Sequence, residues 1–246
     1  MPSYSDQNTE ITISISTRFF PGAGLVQEPE DLTLQSADSV FFYVSSAVIL
    51  NHSADRFGAH IPFHLDVDQI IYISESSEVL NIILHALYDI SLAEHSPPLL
   101  VLIAAVQRLT AYGLDPQLLI KTSKPLHTAL LSYSPLYPIE IYALAASLDL
   151  EELAVPTSSH LLSFRLSGLT DEIASHIGPV YLNRLVKLHI FRTEELKAML
   201  LIPPHPHPET PSCDFAEQRR LSRAWTLAAA YLAWDARPGM LSFAFR

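Results

Sequence analysis

The sequence has little material for several common kinds of functional site. It contains 1 cysteine in 246 residues, which excludes an intrachain disulfide and a thiolate-rich metal centre. Its 7 glycines are few for the glycine-rich loops that bind phosphate groups. Lys and Arg total 15 against 26 Asp and Glu, so the net charge of −11 repels nucleic acids and anionic membranes. We therefore expect no nucleic-acid partner and no membrane partner.

Long hydrophobic runs are also missing. The most apolar stretches, residues 98–106 and 227–234, are too short or too interrupted to cross about 30 Å of hydrocarbon. Residues 1–10 are polar and acidic and lack the basic and apolar regions of a secretory signal. Together with the cysteine content, these features favour an intracellular protein, cytoplasmic or nuclear.

Strand patterns are confined to the first third of the chain. Apolar and polar residues alternate over 11–15, which predicts a half-buried strand. Residues 31–34 and 40–44 flank the turn-like 36–39 and predict a hairpin, and 70–73 predicts a further short strand.

Helical patterns follow the strands. Ser76 or Ser77 can cap a helix, and a second helix over 99–112 has Gly113 as its stop. Asp115-Pro116 starts the next helix, and Lys124-Pro125 restarts the chain as another.

Prolines at 135 and 138 mark the domain boundary that we predict. Beyond it the pattern is all-α, with helices expected over 139–148, 150–166, 170–176, 179–190, 193–201 and 215–235. The proline- and histidine-rich run 203–208 is expected to be an extended, exposed loop. The predicted organisation is an N-terminal extension with a strand (1–27), an α+β domain (28–134) and a helical region (135–246).

Enzyme signatures are missing, since the sequence has neither Gly-x-Ser-x-Gly nor His-Glu-x-x-His. Nothing in it identifies a base for Cys213 as a nucleophile, and we expect an inert side chain there. We predict no catalytic residue and no cofactor.

Two groups of residues offer weak metal alternatives. Asp66 and Asp68 lie near His60 and His64, but solvated residues leading into a strand are the more ordinary interpretation. A second group, His205, His207 and Cys213, has ligand types that suit zinc but lacks an evident fourth ligand. We therefore predict no metal site.

The densest basic cluster is Arg219, Arg220 and Arg223, on a segment that also carries Trp225 and Trp234. In so acidic a chain, a solvated helix face above an aromatic core is the favoured interpretation over a nucleic-acid site.

The order of elements between about residues 28 and 132 is that of a known domain family: a hairpin, a helical segment over 46–57, a strand, then helices. Residues 31–34 and 40–44 match the first two strands of that family, and Leu50 precedes Phe57 by the spacing of its first two helices. The chain thus resembles the BTB/POZ domain. Phe57-Gly58 before Pro62, and a tail with Tyr181-Leu182, Arg184-Leu185 and His189, are most similar to the large fungal, basidiomycete-type set of BTB proteins.

The resemblance implies an α+β fold, a helical cluster over a small β-sheet, followed by the all-α region. Family members commonly dimerise through the first helix and the N-terminal strand, and the strand over 11–15 would suit such an exchange. The resemblance therefore points to a candidate interface, with monomer core as the equally weighted alternative for these apolar side chains. The candidate interface residues are Phe41, Tyr43, Val48, Ile49, Leu50, Phe57 and Phe63.

The sequence departs from the family pattern in two places. Many BTB domains have histidine and a basic residue where this chain has Ser45 and Ser46, so we expect a polar contact to be missing there. The hydrophobic-x-Glu motif that contacts a cullin should follow Phe57, but Phe63-His64-Leu65 contains no acid.

These observations predict a non-enzymatic protein–protein interaction module with protein partners, among them a second copy of the chain. Two alternatives stay open. A cullin-type ubiquitin-ligase adaptor would place a carboxylate near Phe63 in the folded protein. An unrecognised enzyme would have a closed pocket with convergent polar groups and shifted pKa values.

Overall fold

The computed structural model describes residues 14–64 and 69–235. The chain divides into two compact units, Met1–Tyr133 and Ser134–Arg246, named unit 1 and unit 2 below. The structure is of the mixed α+β class, and the strands of its four-stranded sheet all belong to unit 1. The finer division into segments 1–27, 28–134 and 135–246 stays a prediction.

The sheet of unit 1 has the strand order β1-β3-β2-β4. The predicted hairpin is confirmed as the antiparallel pair β2 and β3, while β1 lies parallel to β3 and β4 parallel to β2. Of the predicted strand over 11–15, residues 11–13 lie outside the described residues, and the remainder pairs with β3 of the same chain. The strands are β1 (Ser14–Ile15), β2 (Leu32–Gln35), β3 (Val40–Val44) and β4 (Ile70–Tyr72).

The helices of unit 1 begin and end largely where local chemistry predicts. Ser76 Oγ accepts a hydrogen bond from the Val79 N–H at 3.4 Å, and Asp115 Oδ1 accepts one from the Gln117 N–H at 2.9 Å. Gly113 ends the turn after α3 at φ 62°, where a Cβ would collide with the Asp55 side chain. The helices are α1 (Ser46–His52), α2 (Ser77–Leu87), α3 (Leu99–Arg108), α4 (Pro116–Leu119) and α5 (Pro125–Tyr133).

The core of unit 1 lies between the inner face of the sheet and the helices. Alternate strand residues point inward and are buried, while α2 packs against α1, α3 and α5. Phe19, just after β1, is fully buried against Phe42, His85 and Tyr88. This insertion anchors the N-terminal segment to the core of its own chain.

Unit 2 is built from four helices over its described residues. A short α7, which contains Pro156 and ends at Ser158, replaces the predicted helix over 150–166, and the chain continues as 3₁₀ turns. The break predicted before Pro179 is present at Gly178 (φ 71°). The predicted break between 190 and 193 is wrong, since Thr193 Oγ1 donates to the His189 carbonyl within a continuous helix. The helices are α6 (Pro138–Ser147), α7 (Glu151–Ser158), α8 (Asp171–Leu200) and α9 (Phe215–Asp235).

Each unit buries a histidine in its interior. His85 in α2 has no exposed area and donates its Nδ1–H to the Asn81 carbonyl at 2.8 Å. His189 in α8 is 2% exposed, and neither of its ring nitrogens has a partner among the described residues. Burial lowers the pKa of both imidazoles, and the nearby charge of Arg192 lowers that of His189 further.

We expect the protein to lose stability as the pH falls from 7 to 5. The unfolded chain binds protons at these histidines below about pH 6.5, whereas the folded chain resists protonation because its histidine pKa values are lower. The free energy of unfolding should fall by at most about 1.4 kcal/mol per pH unit for each histidine. Urea unfolding at pH 7, 6 and 5 measures this slope. His85→Gln should flatten the slope, and a slope equal to that of the wild type would contradict the prediction.

Candidate interaction surface

The side of the sheet that points away from the core carries large apolar side chains. In β3, Phe42 and Val44 are buried, so the alternate residues Phe41 and Tyr43 point outward. In β4, Ile71 is buried and its two neighbours point outward. The outward-facing residues of the four strands, named the outer face below, are Ile15, Thr33, Gln35, Phe41, Tyr43, Ile70 and Tyr72.

Strand register arranges the outer face in two rows. One row runs Tyr43, Thr33 and Ile70 across β3, β2 and β4. The other runs across all four strands, with Ile15 beside Phe41 and with Gln35 between Phe41 and Tyr72. Side chains in such rows are close enough to form one continuous surface.

The outer face is uncharged and mainly apolar, with Ile15, Ile70 and Tyr72 exposed and its other four residues half-buried. Ile70 is 53% exposed and Tyr72 is 59% exposed. Its seven residues include no Asp, Glu, Lys or Arg, although the chain has a net charge of −11. Among the described residues β4 is also an edge strand of the sheet, and edge strands present backbone groups that can pair with another chain.

The structure separates the seven predicted interface residues into two groups. Phe41 and Tyr43 lie on the outer face, and the side chains of Leu50 and Phe63 also reach solvent. The other three are buried in the monomer, because α1 and the turn after it pack their apolar side chains into the core. These residues belong to the core and do not line a surface: Val48, Ile49 and Phe57.

Five residues of the outer face were missed by the sequence prediction: the polar Thr33 and Gln35, and Ile15, Ile70 and Tyr72. The run Ile70-Ile71-Tyr72 is apolar at every position, so it indicates a strand without showing which residues point outward. For Ile15, the alternation was visible but the pairing with β3 was not.

Phe63 is the most exposed member of the predicted set. It is 85% exposed, and the Arg56 guanidinium carbon lies 4.5 Å from the centroid of its ring. The group beside Phe63 is therefore a cation, whereas the cullin-adaptor alternative requires a carboxylate there. Leu65, Asp66 and Asp68 lie outside the described residues.

The polar contact expected to be missing after β3 is present. The carboxylate of Asp31 accepts hydrogen bonds from the N–H and the Oγ–H of Ser46, both at 2.7 Å. The N–H of Ser45 donates to the Tyr88 hydroxyl at 2.6 Å. Serine therefore fixes the start of α1 to the strand segment, because its short side chain and its backbone reach one carboxylate together.

A buried serine ties α1 to the helices that follow. Ser53 Oγ donates to the Tyr112 carbonyl at 2.8 Å and accepts the Phe57 N–H at 2.6 Å. The Phe57 ring stacks on Tyr112 with centroids 4.4 Å apart. The contact between Ser53 and Tyr112 could not be predicted from local patterns, since it joins residues 59 positions apart and depends on the tertiary fold.

A cavity and a groove among the described residues bear on the enzyme alternative. A cavity of about 460 Å³ in unit 1 is lined mainly by hydroxyl and small side chains, among them Ser96, Ser132 and Tyr133. In unit 2, a groove of about 140 Å³ contains Tyr142 and Tyr181. Burial, followed by a hydrogen bond to Asp149, raises the pKa of Tyr181 to about 12, which makes its hydroxyl a donor rather than a base at neutral pH.

The zinc alternative has no support in the geometry. Cys213 pairs with Thr210 through backbone hydrogen bonds, and the main chain of His207 bonds the amide of Gln218. Over residues 14–64 and 69–235, no group of three or more His, Cys, Asp or Glu side chains is placed to hold a metal ion.

Comparisons of the chain with protein-family models, with curated proteins and with solved structures found no match. Among the helices of the described residues, none has both the length and the apolar composition needed to span a bilayer.

Proposed function

We propose that the chain is a non-enzymatic protein–protein interaction module that self-associates through unit 1, a BTB/POZ-like domain, with the outer face as its contact surface. The observation that carries the proposal is an uncharged, mainly apolar sheet face on a protein of net charge −11. Apolar faces of this kind mark sites of protein association.

The order and pairing of the elements support the BTB/POZ part of the proposal. The hairpin of β2 and β3, then α1, then β4 beside β2, then α2 to α5, follow the order on which the family resemblance rests. The Asp31–Ser46 contact fixes α1 after the hairpin, at the position where many BTB domains make a polar contact.

A second copy of the chain fits the outer face better than a charged partner. Two copies of a chain of net charge −11 repel each other, and this repulsion is weakest where the contacting surfaces carry no charge. The outer face also presents flat rows of side chains, and two such faces can pack as aligned sheets about 10 Å apart.

Replacing Tyr72 by glutamate tests the proposal. The variant should weaken self-association roughly 30- to 150-fold, because burying an unpaired carboxylate in the contact costs about 2–3 kcal/mol. Sedimentation equilibrium over a range of protein concentrations measures the dissociation constant, and circular dichroism reports folding. Leu118→Glu is the matched control, since Leu118 is an exposed apolar residue on α4, outside the sheet.

The proposal is overturned if Tyr72→Glu associates as tightly as the wild type or if the wild type is a monomer at every concentration. A purified cullin scaffold is added in a parallel run. Cullin binding by a monomeric wild type would assign the chain to the adaptor class instead.

A further inference from the structure

Helix α9 in unit 2 packs on α8 through one stripe of its surface. The buried positions of this stripe are Gln218 and Ala229, with Ser222 partly buried between them. Gln218 also holds the proline- and histidine-rich loop, because its amide accepts the His207 N–H at 3.2 Å and donates to the His207 carbonyl at 2.9 Å. One face of α9 is thus fixed, and the opposite face is free for another contact.

The opposite face of α9 carries arginine at one end and aromatic residues at the other. Successive residues of a helix are about 100° apart around its axis, and five exposed residues of α9 lie together within a sector of about 80° on this face. Leu227, Tyr231 and Trp234 are 75%, 70% and 93% exposed, and both arginines are exposed. This surface, named the α9 face below, consists of Arg220, Arg223, Leu227, Tyr231 and Trp234.

The arginines and the aromatic residues of the α9 face lie at equal distances along the sequence on opposite sides of Leu227. Arg220 and Trp234 are each seven residues from Leu227, and Arg223 and Tyr231 are each four residues from it. In an antiparallel pair of such helices with a two-fold axis at Leu227, every arginine of one copy is opposite an aromatic ring of the other. Arginine over Trp or Tyr is an attractive cation–π arrangement.

Charge explains why the antiparallel arrangement is preferred. A parallel pair would set arginine against arginine, whereas the antiparallel pair separates the two Arg220 residues by about 21 Å along the axis, beyond the screening length at physiological salt. Neither Arg220 nor Arg223 forms a salt bridge within the described part of the chain. Arg219 of the same helix already lies 5.8 Å from the Phe215 ring centroid.

We infer that α9 is a second self-association surface, which pairs antiparallel with α9 of another copy of the chain and has Leu227 on the two-fold axis. This contact goes beyond the proposed function of unit 1 and uses different residues.

Cysteine cross-linking tests the two-fold axis. With helix axes about 8–10 Å apart and Cα atoms about 2.3 Å from each axis, the two Leu227 Cα atoms would be about 3.4–5.4 Å apart, a range that overlaps the Cα separation found across disulfides. In a Cys213→Ser background, which has no other cysteine, Leu227→Cys should form disulfide dimers under mild oxidation at least about tenfold faster than Thr226→Cys, about 100° around the helix. Equal rates would overturn the inference.

Mixed cross-linking tests the antiparallel register. Arg220→Cys and Trp234→Cys proteins, each in the Cys213→Ser background, should cross-link with each other faster than either does with itself. Preferential Arg220→Cys self-cross-linking would indicate a parallel pair and would overturn the inference.

Sedimentation of charge variants tests the cation–π contribution separately from the outer face. In a Tyr72→Glu background, Arg220→Glu/Arg223→Glu should raise the dimer dissociation constant by about tenfold or more, while Arg219→Glu should not. Circular dichroism checks that α9 stays helical. Vesicles of phosphatidylserine and phosphatidylcholine are included, and vesicle binding without cross-linking at residue 227 would overturn self-association and assign the face to lipid.

Discussion

Replacing Phe19 by alanine is expected to lower the free energy of unfolding of unit 1 by about 3–5 kcal/mol. The Phe19 ring has no exposed area and lies 5.3 Å, centroid to centroid, from both His85 and Tyr88. Its carbonyl accepts the Tyr43 N–H at 2.9 Å, so the ring and the backbone together hold the N-terminal segment against β3. Truncation should therefore leave a cavity and release that segment.

Urea unfolding gives the loss of stability, and amide hydrogen exchange at Ser16 and Tyr43 reports release of the segment, because these amides bond across the β3 edge. Phe20→Ala is the matched control. Phe20 is the next residue and is half-exposed, so its loss should cost less than about 1 kcal/mol. Similar effects of the two substitutions would contradict the anchoring role of Phe19.

Replacing Phe57 by alanine is expected to destabilise unit 1 by a similar amount, about 3–5 kcal/mol. Phe57 is fully buried against Tyr112, and it lies in a turn in which Arg56, Phe57 and Ala59 all have φ near 60°. The left-handed conformation costs a non-glycine residue about 1–2 kcal/mol. Burial of the ring and the hydrogen bond that the Phe57 N–H donates to Ser53 Oγ offset this cost, so the turn should loosen when the ring is removed.

Comparing Phe63→Ala with Phe57→Ala distinguishes a surface residue from a core residue among those predicted for the interface. Phe63 is exposed, so its truncation should leave the thermal midpoint nearly unchanged, whereas Phe57→Ala should lower it by many degrees. Differential scanning fluorimetry measures both. An unchanged midpoint in Phe57→Ala would show that Phe57 does not carry the core of this unit.

Local chemistry decided most of the helix ends. Capping by Ser76 and Asp115, the stop at Gly113 and the break at Gly178 depend on residues within one or two turns of the chain. Each could be predicted from the sequence, because the atoms that satisfy the backbone are neighbours in the sequence. Two helix limits were predicted wrongly. Helix α7 continues past Pro156 but ends at Ser158, and residues 190–193 contain no residue that breaks a helix.

The identity of the outward-facing residues was not available from local patterns. Phe41, Tyr43 and Ile49 are similar apolar residues close together in the sequence, yet two point outward and one is fully buried. The difference follows from strand pairing and from the packing of α1, which depend on contacts with residues far along the chain. Burial and interface formation use the same side chains, so composition alone does not separate them.

The sequence by itself determined the α+β class, the positions of the hairpin and most helices, and the acidic, cysteine-poor character of the chain. Periodicity, capping residues and charge are properties of neighbouring residues and of composition, and they need no knowledge of the fold. Only the tertiary structure decided that Asp31 binds Ser46, that Phe19 enters the core and that the outer face is uncharged. These features join residues that are distant in sequence, and their free energies arise only when the sheet and the helices have packed together.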